Sequence, residues 1–339
     1  MDLQRLLEQK LNDLPPGPHQ NGLKAVMAHI EAALRHLKRG QSEADGSLFT
    51  DVVFRCNQAF EGSIKEAYRV LAKKDPQQTT PFQIEQFMAS ANLLRKKVLD
   101  QFTRYRTEWR NPSTHDYTLD FDEDEALLAI VTVTVFAIVL CDQIEVALAF
   151  DAAAASTPTI GISKAEEEKP LLDIVTSKVL TFATSFADEA TPNSVGSVRQ
   201  AYYRLEGALG GYLSAELAGV PEMIVKQGRT FEGKETDILV ERQRKPNPTE
   251  NLVVELKVTG TAGILRSGRT QLNAALERTA FFLNSPDVVG GIVFIYSFAE
   301  KDYVVTDAGG PLSGRVRIVS PQALQKHLDL HRPQPGERS

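Results

Sequence analysis

In Leu252-Val253-Val254-Glu255-Leu256-Lys257-Val258 the apolar residues recur at every second position. Successive side chains of an extended strand point to opposite faces. Leu252, Val254, Leu256 and Val258 therefore share one face, and Val253, Glu255 and Lys257 share the other. Four apolar residues on one face predict a strand laid against a core, with a carboxylate and an ammonium projecting together on its far side. The alternative is an edge strand carrying a solvated Glu–Lys pair, but an exposed edge less readily carries such an apolar face.

Working outward, Asp237 opens a second strand-like run, Asp237–Glu241, and a hairpin through residues 242–251 (RQRKPNPTEN) brings it beside Glu255. Met223–Lys226 is a further short strand. Arg199–Leu217 precedes it with helical spacing, Ile264–Leu283 forms another helix after the Glu255 strand, and Gly291–Phe298 is a very apolar strand. The order helix, three strands, helix, strand predicts an α/β domain with a central mixed sheet. Residues 171–190 also show helical spacing, through Leu172, Val175, Val179, Phe182 and Phe186.

Two carboxylates converging at strand ends form the hard oxygen site that Mg2+ requires, with water completing the octahedron. A metal so held lowers the pKa of bound water and stabilises charge on a phosphoryl transition state. Lys257, a point charge on a flexible stem, is placed to orient that water or to neutralise a phosphate.

With Asp237 as the motif aspartate and Glu255-Leu256-Lys257 as E-x-K, the segment from Ser194 to Ser320 resembles the PD-(D/E)xK, or restriction-endonuclease-like, superfamily. Thr236 stands where the motif has proline. The resemblance implies a Mg2+- or Mn2+-dependent endonuclease that hydrolyses phosphodiester bonds, with DNA favoured over RNA. It implies catalytic roles for Asp237, Glu255, Lys257 and Gln271, and metal ligation by Asp237, Glu255 and Glu206. Glu206 matches a helix-borne acid of the superfamily, but beside the stripe of Leu205, Leu209 and Tyr212 it also fits an ordinary solvated helix glutamate. Gln271 matches a glutamine on the helix after E-x-K, and equally fits an exposed helix position. Arg242, Arg244, Lys245, Arg266 and Arg269 are expected phosphate contacts around the site. Basic loops also serve solubility alone.

Residues 1–150 read as helices only, with apolar positions at Leu23, Val26, Ile30, Ala33 and Leu37, then at Val53, Ala59, Ile64, Ala67, Tyr68 and Leu71. Breaks at Pro15-Pro16-Gly17-Pro18, Gly40–Gly46, Asp75-Pro76 and Asn111-Pro112 predict a bundle of roughly five segments. Trp109-Arg110-Asn111-Pro112-Ser113-Thr114-His115 carries an R-N-x-x-x-H pattern, and with the polar-rich helix Asn57–Lys73 the region 45–150 resembles HEPN domains. That resemblance implies a homodimer or higher oligomer, and a metal-independent ribonuclease site as a second centre. In it His115 is the general acid or base, Arg110 holds the phosphate, and Asn111 orients groups. Alternatively Arg110 and His115 cap helix ends and pair with Asp116, Asp120, Asp122 and Glu123. A non-catalytic nucleic-acid-binding adaptor is a third reading. The fusion of the two domains resembles prokaryotic defence effectors, which implies an anti-phage role and a defence-system partner protein.

The chain has 339 residues, 42% hydrophobic and 24% charged, enough for two cores. Its net charge of −6 means that any nucleic-acid contact must come from local patches. Cys56 and Cys141, far apart in apolar stretches, exclude a disulfide framework and a zinc ribbon and suggest a reducing compartment. The opening MDLQRLLEQK has no apolar segment of the signal-peptide kind, so a cytoplasmic placement is expected. Ala126–Leu140 (ALLAIVTVTVFAIVL) is apolar but shorter than the ~20 residues a span needs, and it is flanked by Asp122–Glu125, Asp142 and Glu145. It predicts a helix buried on all sides, in part at a dimer interface, and no membrane. Residues 151–170 (DAAAASTPTIGISKAEEEKP) suit a tether. The expected organisation is a helical domain at 1–155, a linker at 156–170, a nuclease-like domain at 171–325 and a flexible tail at 326–339.

Overall fold

The computed structural model describes residues 2–115, 118–158, 162–186, 195–220, 222–228, 230–231, 233–243, 248–259, 264–298 and 300–330. The chain divides into two compact units, Met1–Leu148 and Ala149–Ser339.

The first unit is helical: α1 (Leu3–Asp13), α2 (His19–Glu43), α3 (Ser47–Leu71), α4 (Pro81–Ser90), α5 (Lys96–Tyr105), α6 (Asn111–His115) and the greater part of α7 (Glu123–Ser156). The apolar stripes read from the sequence are the buried ones, with Leu23, Val26, Ile30 and Ala33 of α2 facing Val53, Ala59, Phe60 and Ile64 of α3 within one core. Around Phe60 cluster Tyr105, stacked at 4.5 Å, Phe102 at 5.4 Å and Phe136 of α7 at 5.3 Å. Burying each such ring contributes about 1.5–3 kcal/mol. A hydrogen-bonded chain adds specificity, since the Tyr105 hydroxyl donates to Asn57 Oδ1 (3.3 Å) and Asn57 Nδ2 donates to Ser113 Oγ (2.6 Å).

The expected breaks at 15–18, 40–46 and 75–76 fall between helices, the second at Ala44, whose left-handed backbone (φ 52°) ends α2. Another break comes at Asn92, also left-handed (φ 54°), between α4 and α5. The break expected at Asn111-Pro112 does not occur there. Residues Arg106–Arg110 form a π-helical turn that carries the chain from α5 into α6. A proline inside an α-helix clashes with the carbonyl four residues back, and a widened turn ahead of Pro112 gives that carbonyl room.

α7 is longer than the apolar run: it starts where Asp122 caps it through Glu125 N–H (2.9 Å) while Glu125 returns a bond to Asp122 N–H (3.0 Å), and it continues past Leu140 to Ser156. Among the described residues it is the one helix long and apolar enough to cross a membrane, but 67% of its most apolar stretch is buried. Asp142 lies inside the helix, fully buried and paired with Lys10 of α1. The expectation of burial on all sides is corrected: Leu127 (49% exposed), Leu128 (55%), Val131 (41%) and Val135 (42%) face outward.

The second unit contains the end of α7, then α8 (Lys164–Glu167), α9 (Leu171–Ser185), α10 (Val195–Leu217), β1 (Met223–Gln227), β2 (Thr230–Phe231), β3 (Lys234–Glu235), β4 (Ile238–Arg242), β5 (Glu250–Thr259), α11 (Ile264–Phe282), β6 (Val288–Ser297), β7 (Tyr303–Asp307), β8 (Val316–Pro321) and α12 (Gln322–Leu330). The span read as a linker thus includes α8, which begins with a Ser163–Glu166 capping box. The span read as a flexible tail includes the end of α12, whose Leu324 sits in the core.

Six strands form one mixed sheet in the order β1-β4-β5-β6-β8-β7, and β2 pairs only with β3. The β1–β4 and β4–β5 pairs are antiparallel, the β5–β6 and β6–β8 pairs are parallel, and β7 returns antiparallel on the edge. The parallel step from β5 to β6 needs a crossover, which α11 supplies. Leu252, Val254, Leu256 and Val258 pack with α9 and α10 on one face. Val253 packs with Leu272, Ala275 and Phe282 of α11 on the other. The sheet is therefore covered on both faces, which is why β5 and β6 read as near-continuous apolar runs. Gly291 sets the height of α11 above the sheet: a Cβ there would lie 2.2 Å from Thr279 Cγ2.

Candidate functional site

The antiparallel register of β4 on β5 pairs Ile238 with Val254, so the next step outward sets Asp237 against Glu255. Both acids lie on the face toward α11, because Ile238 and Val254 point to the other one. Asp237 Oδ2 accepts the Leu256 N–H at 2.7 Å, which fixes its carboxylate across the strand boundary. Glu255 is fully buried, and no well-aligned hydrogen bond reaches either of its oxygens. It is held instead by two cations, Oε1 lying 3.1 Å from Arg278 Nε and Oε2 3.5 Å from Lys257 Nζ. Burial first and the Asp237 charge second push the Glu255 carboxyl up to about 7, against the pull of Arg278 and Lys257. Lys257 Nζ also donates to the Leu256 carbonyl at 3.0 Å.

Arg278 was not foreseen among the site residues. It lies on α11 in one stripe with Gln271 and the buried Ala275, at the i, i+4, i+7 spacing of a helix face. Its guanidinium touches Glu255 and also donates to the carbonyl of Glu235, two residues before Asp237. Gln271 is half-buried, and its Oε1 is buried without a hydrogen-bond donor. That argues against its being a plain exposed helix residue. The only sequence signal for Arg278 was its seven-residue spacing from Gln271.

Glu206 is fully buried, which removes the reading of it as a solvated helix glutamate. The carbonyl of Glu206 accepts Gln227 Nε2 at 2.6 Å, and Gln227 pairs in the sheet with Ile238, next to Asp237. Gly210 permits this approach, since a Cβ there would meet Gln227 Nε2 at 2.3 Å. Even so, no group of three or more His, Cys, Asp or Glu side chains able to hold a metal is found among the described residues. As placed, Glu206 does not complete a triad with Asp237 and Glu255.

Comparison with protein-family models, curated proteins and solved structures finds no match.

Of the expected phosphate contacts, Arg242 is corrected. It is 3% exposed, pairs with Glu250 through Nε (2.6 Å) and donates to the Lys169 carbonyl (3.0 Å), so it pins the start of the β4–β5 hairpin. Arg244 and Lys245 lie outside the described residues, as do the side chains of Arg266 and Arg269.

In the first unit, Arg110 ends the π turn and Asn111 opens α6. Arg110 Nε donates to Glu61 Oε1 of α3 at 3.0 Å, and another of its nitrogens donates to Asn111 Oδ1 at 3.3 Å. His115 closes α6, its side chain being outside the described part, as is Asp116. Asp122 caps α7 and Glu123 accepts Gln41 Nε2 at 2.7 Å. The α3 glutamate is thus one partner of the Arg110 guanidinium.

Proposed function

We propose that the second unit is a Mg2+-dependent DNA endonuclease of PD-(D/E)xK type, working at Asp237, Glu255 and Lys257. The observation that carries this reading is the pairing of Asp237 with Glu255 on adjacent strands, with Lys257 one face-step beyond. The sequence α10, β1, β4, β5, α11, β6 follows the helix and strand order expected of that superfamily, with the small β2–β3 pair as an insertion.

The donor set fits a hard divalent cation. Two carboxylates face each other, and the proton affinity of the buried one is raised first by burial and then by the charge of the other, a repulsion that a cation relieves. Water and phosphate oxygens would complete the shell, because no third acid is in place among the described residues. When bound, the metal supplies an acidified water and charge stabilisation at the phosphorus. Asp237 and Glu255 would hold it, Asp237 oriented by the Leu256 N–H. Lys257, partly exposed beside Glu255, would carry positive charge to the scissile phosphate. Gln271 would offer its unengaged amide oxygen to the attacking water. Chelator-sensitive cleavage of plasmid DNA, lost in Asp237→Ala, tests this function.

A second proposal concerns the first unit. Leu128, Val131 and Val135 form an exposed apolar stripe on α7, continuous with a groove of about 620 Å³ lined by Val98 of α5 and by Val131, Val135, Phe136 and Val139. Such a face on a helix otherwise committed to the core is what a homodimer would cover. The Glu61 pairing of Arg110 favours an assembling role for this unit over ribonuclease chemistry. The defence setting rests on resemblance alone.

A further inference from the structure

The Glu255 carboxylate is fully buried, yet the nearer of its two cations is on a side chain 36% exposed. Arg278 spans the two segments that bear the acids: one end is 3.1 Å from Glu255 Oε1, and the other donates to the Glu235 carbonyl just ahead of Asp237. Its backbone is set close to the sheet, because the next residue, Thr279, is packed against Gly291 of β6. The partly exposed guanidinium is the part with room to move. A guanidinium and a divalent cation compete for the same carboxylate lone pairs, and two cations a few ångströms apart repel. The head that must yield carries a planar fork of donors suited to two oxygens of one phosphate.

We propose that Arg278 is a place-holder cation: it occupies the Glu255 carboxylate until a divalent cation takes it, and is then released to a phosphate oxygen of bound nucleic acid. The inference rests on Asp237 and Glu255 forming a metal centre, and it adds that the centre is closed by its own arginine when empty. Arg278 is accordingly a positioning residue of the empty site and a phosphate contact of the loaded one.

Calorimetric titration of the full chain with Mn2+ tests it without any cleavage readout. Arg278→Met keeps the aliphatic stem and removes the competitor, so Mn2+ should bind about 3–10-fold more tightly, up to about 1.4 kcal/mol. Arg278→Lys keeps a competing charge and should stay near wild type. In Ca2+, binding of a short DNA duplex should weaken in Arg278→Met, and in EDTA it should not change. Should Arg278→Met fail to fold, Arg278→Gln carries the same expectation. Unchanged or weaker Mn2+ binding in the neutral variants overturns the place-holder role alone, provided wild-type binding is lost in Glu255→Gln. Wild-type binding that is absent, or indifferent to Glu255→Gln and Asp237→Asn, overturns the metal centre and this inference with it.

Discussion

Asp237 and Glu255 face each other across the β4–β5 pair, and Asp237 reaches past its partner to accept the N–H of Leu256 at 2.7 Å. The contact locks one acid rigidly while leaving the other, fully buried Glu255, dependent on Lys257 and Arg278 for its charge. Such asymmetry has consequences for stability as well as chemistry.

Glu255 has a folded-state carboxyl raised from the usual 4.5 to about 7. An acid whose folded pKa is raised binds its proton more tightly in the native state. Its contribution is therefore fully present below about pH 4.5 and is lost as pH rises through about 7. In EDTA, wild type should lose about 1–3 kcal/mol relative to Glu255→Gln over that window, read from urea unfolding at successive pH values. Mg2+ at pH 7.5 should raise the melting temperature of wild type and leave Glu255→Gln unmoved. Parallel pH curves for the two proteins would remove the raised carboxyl from the account.

Gly291 determines how closely α11, and with it Gln271 and Arg278, approaches the sheet. Because an added methyl would overlap Thr279 Cγ2, Gly291→Ala should cost about 1–3 kcal/mol. It should also reduce cleavage more than that stability loss explains, since the α11 side chains leave the site. A variant of full stability and full activity would show that the spacing is slack.

For the first unit, replacing Val131 and Val135 together by Asp should convert a dimer into a monomer, measured by light scattering on the full chain. Both side chains are exposed, so folding should be retained. A wild-type chain that is already monomeric at micromolar concentration contradicts the proposed interface.

His115→Ala should leave DNA cleavage unchanged and remove no RNA cleavage, because the neighbouring Arg110 is engaged by Glu61 on α3. EDTA-resistant RNA cleavage by wild type that disappears in this variant would reverse that assignment.

The parts of the fold carried by local periodicity were legible in the sequence. The alternation in Leu252–Val258 correctly split β5 between two faces, and the stripes of α2 and α3 named their own core. Features that depend on distant partners were not legible. Arg242 has the look of a phosphate contact in a basic hairpin, and only the fold brings Glu250 and the Lys169 carbonyl to it. Arg278 is one charged residue among several on α11, and its meaning comes from Glu255 on another element. Pro112 reads as a helix stop because the π turn that accommodates it leaves no signature in composition. The extent of α7 was hidden for a related reason: Asp142 interrupts the apolar run, and its partner Lys10 stands at the other end of the unit's sequence. The strands β7 and β8 lie beyond the order of elements read from the sequence.

The most direct measurement is cleavage of supercoiled plasmid by the purified full chain with Mg2+, with EDTA, and with Asp237→Ala, Glu255→Gln and Lys257→Ala compared at matched folding by circular dichroism. The account predicts cleavage in Mg2+, none in EDTA, and a loss of about 10²-fold or more in each variant. Cleavage that persists in EDTA, or that survives in Asp237→Ala and Glu255→Gln, would contradict it.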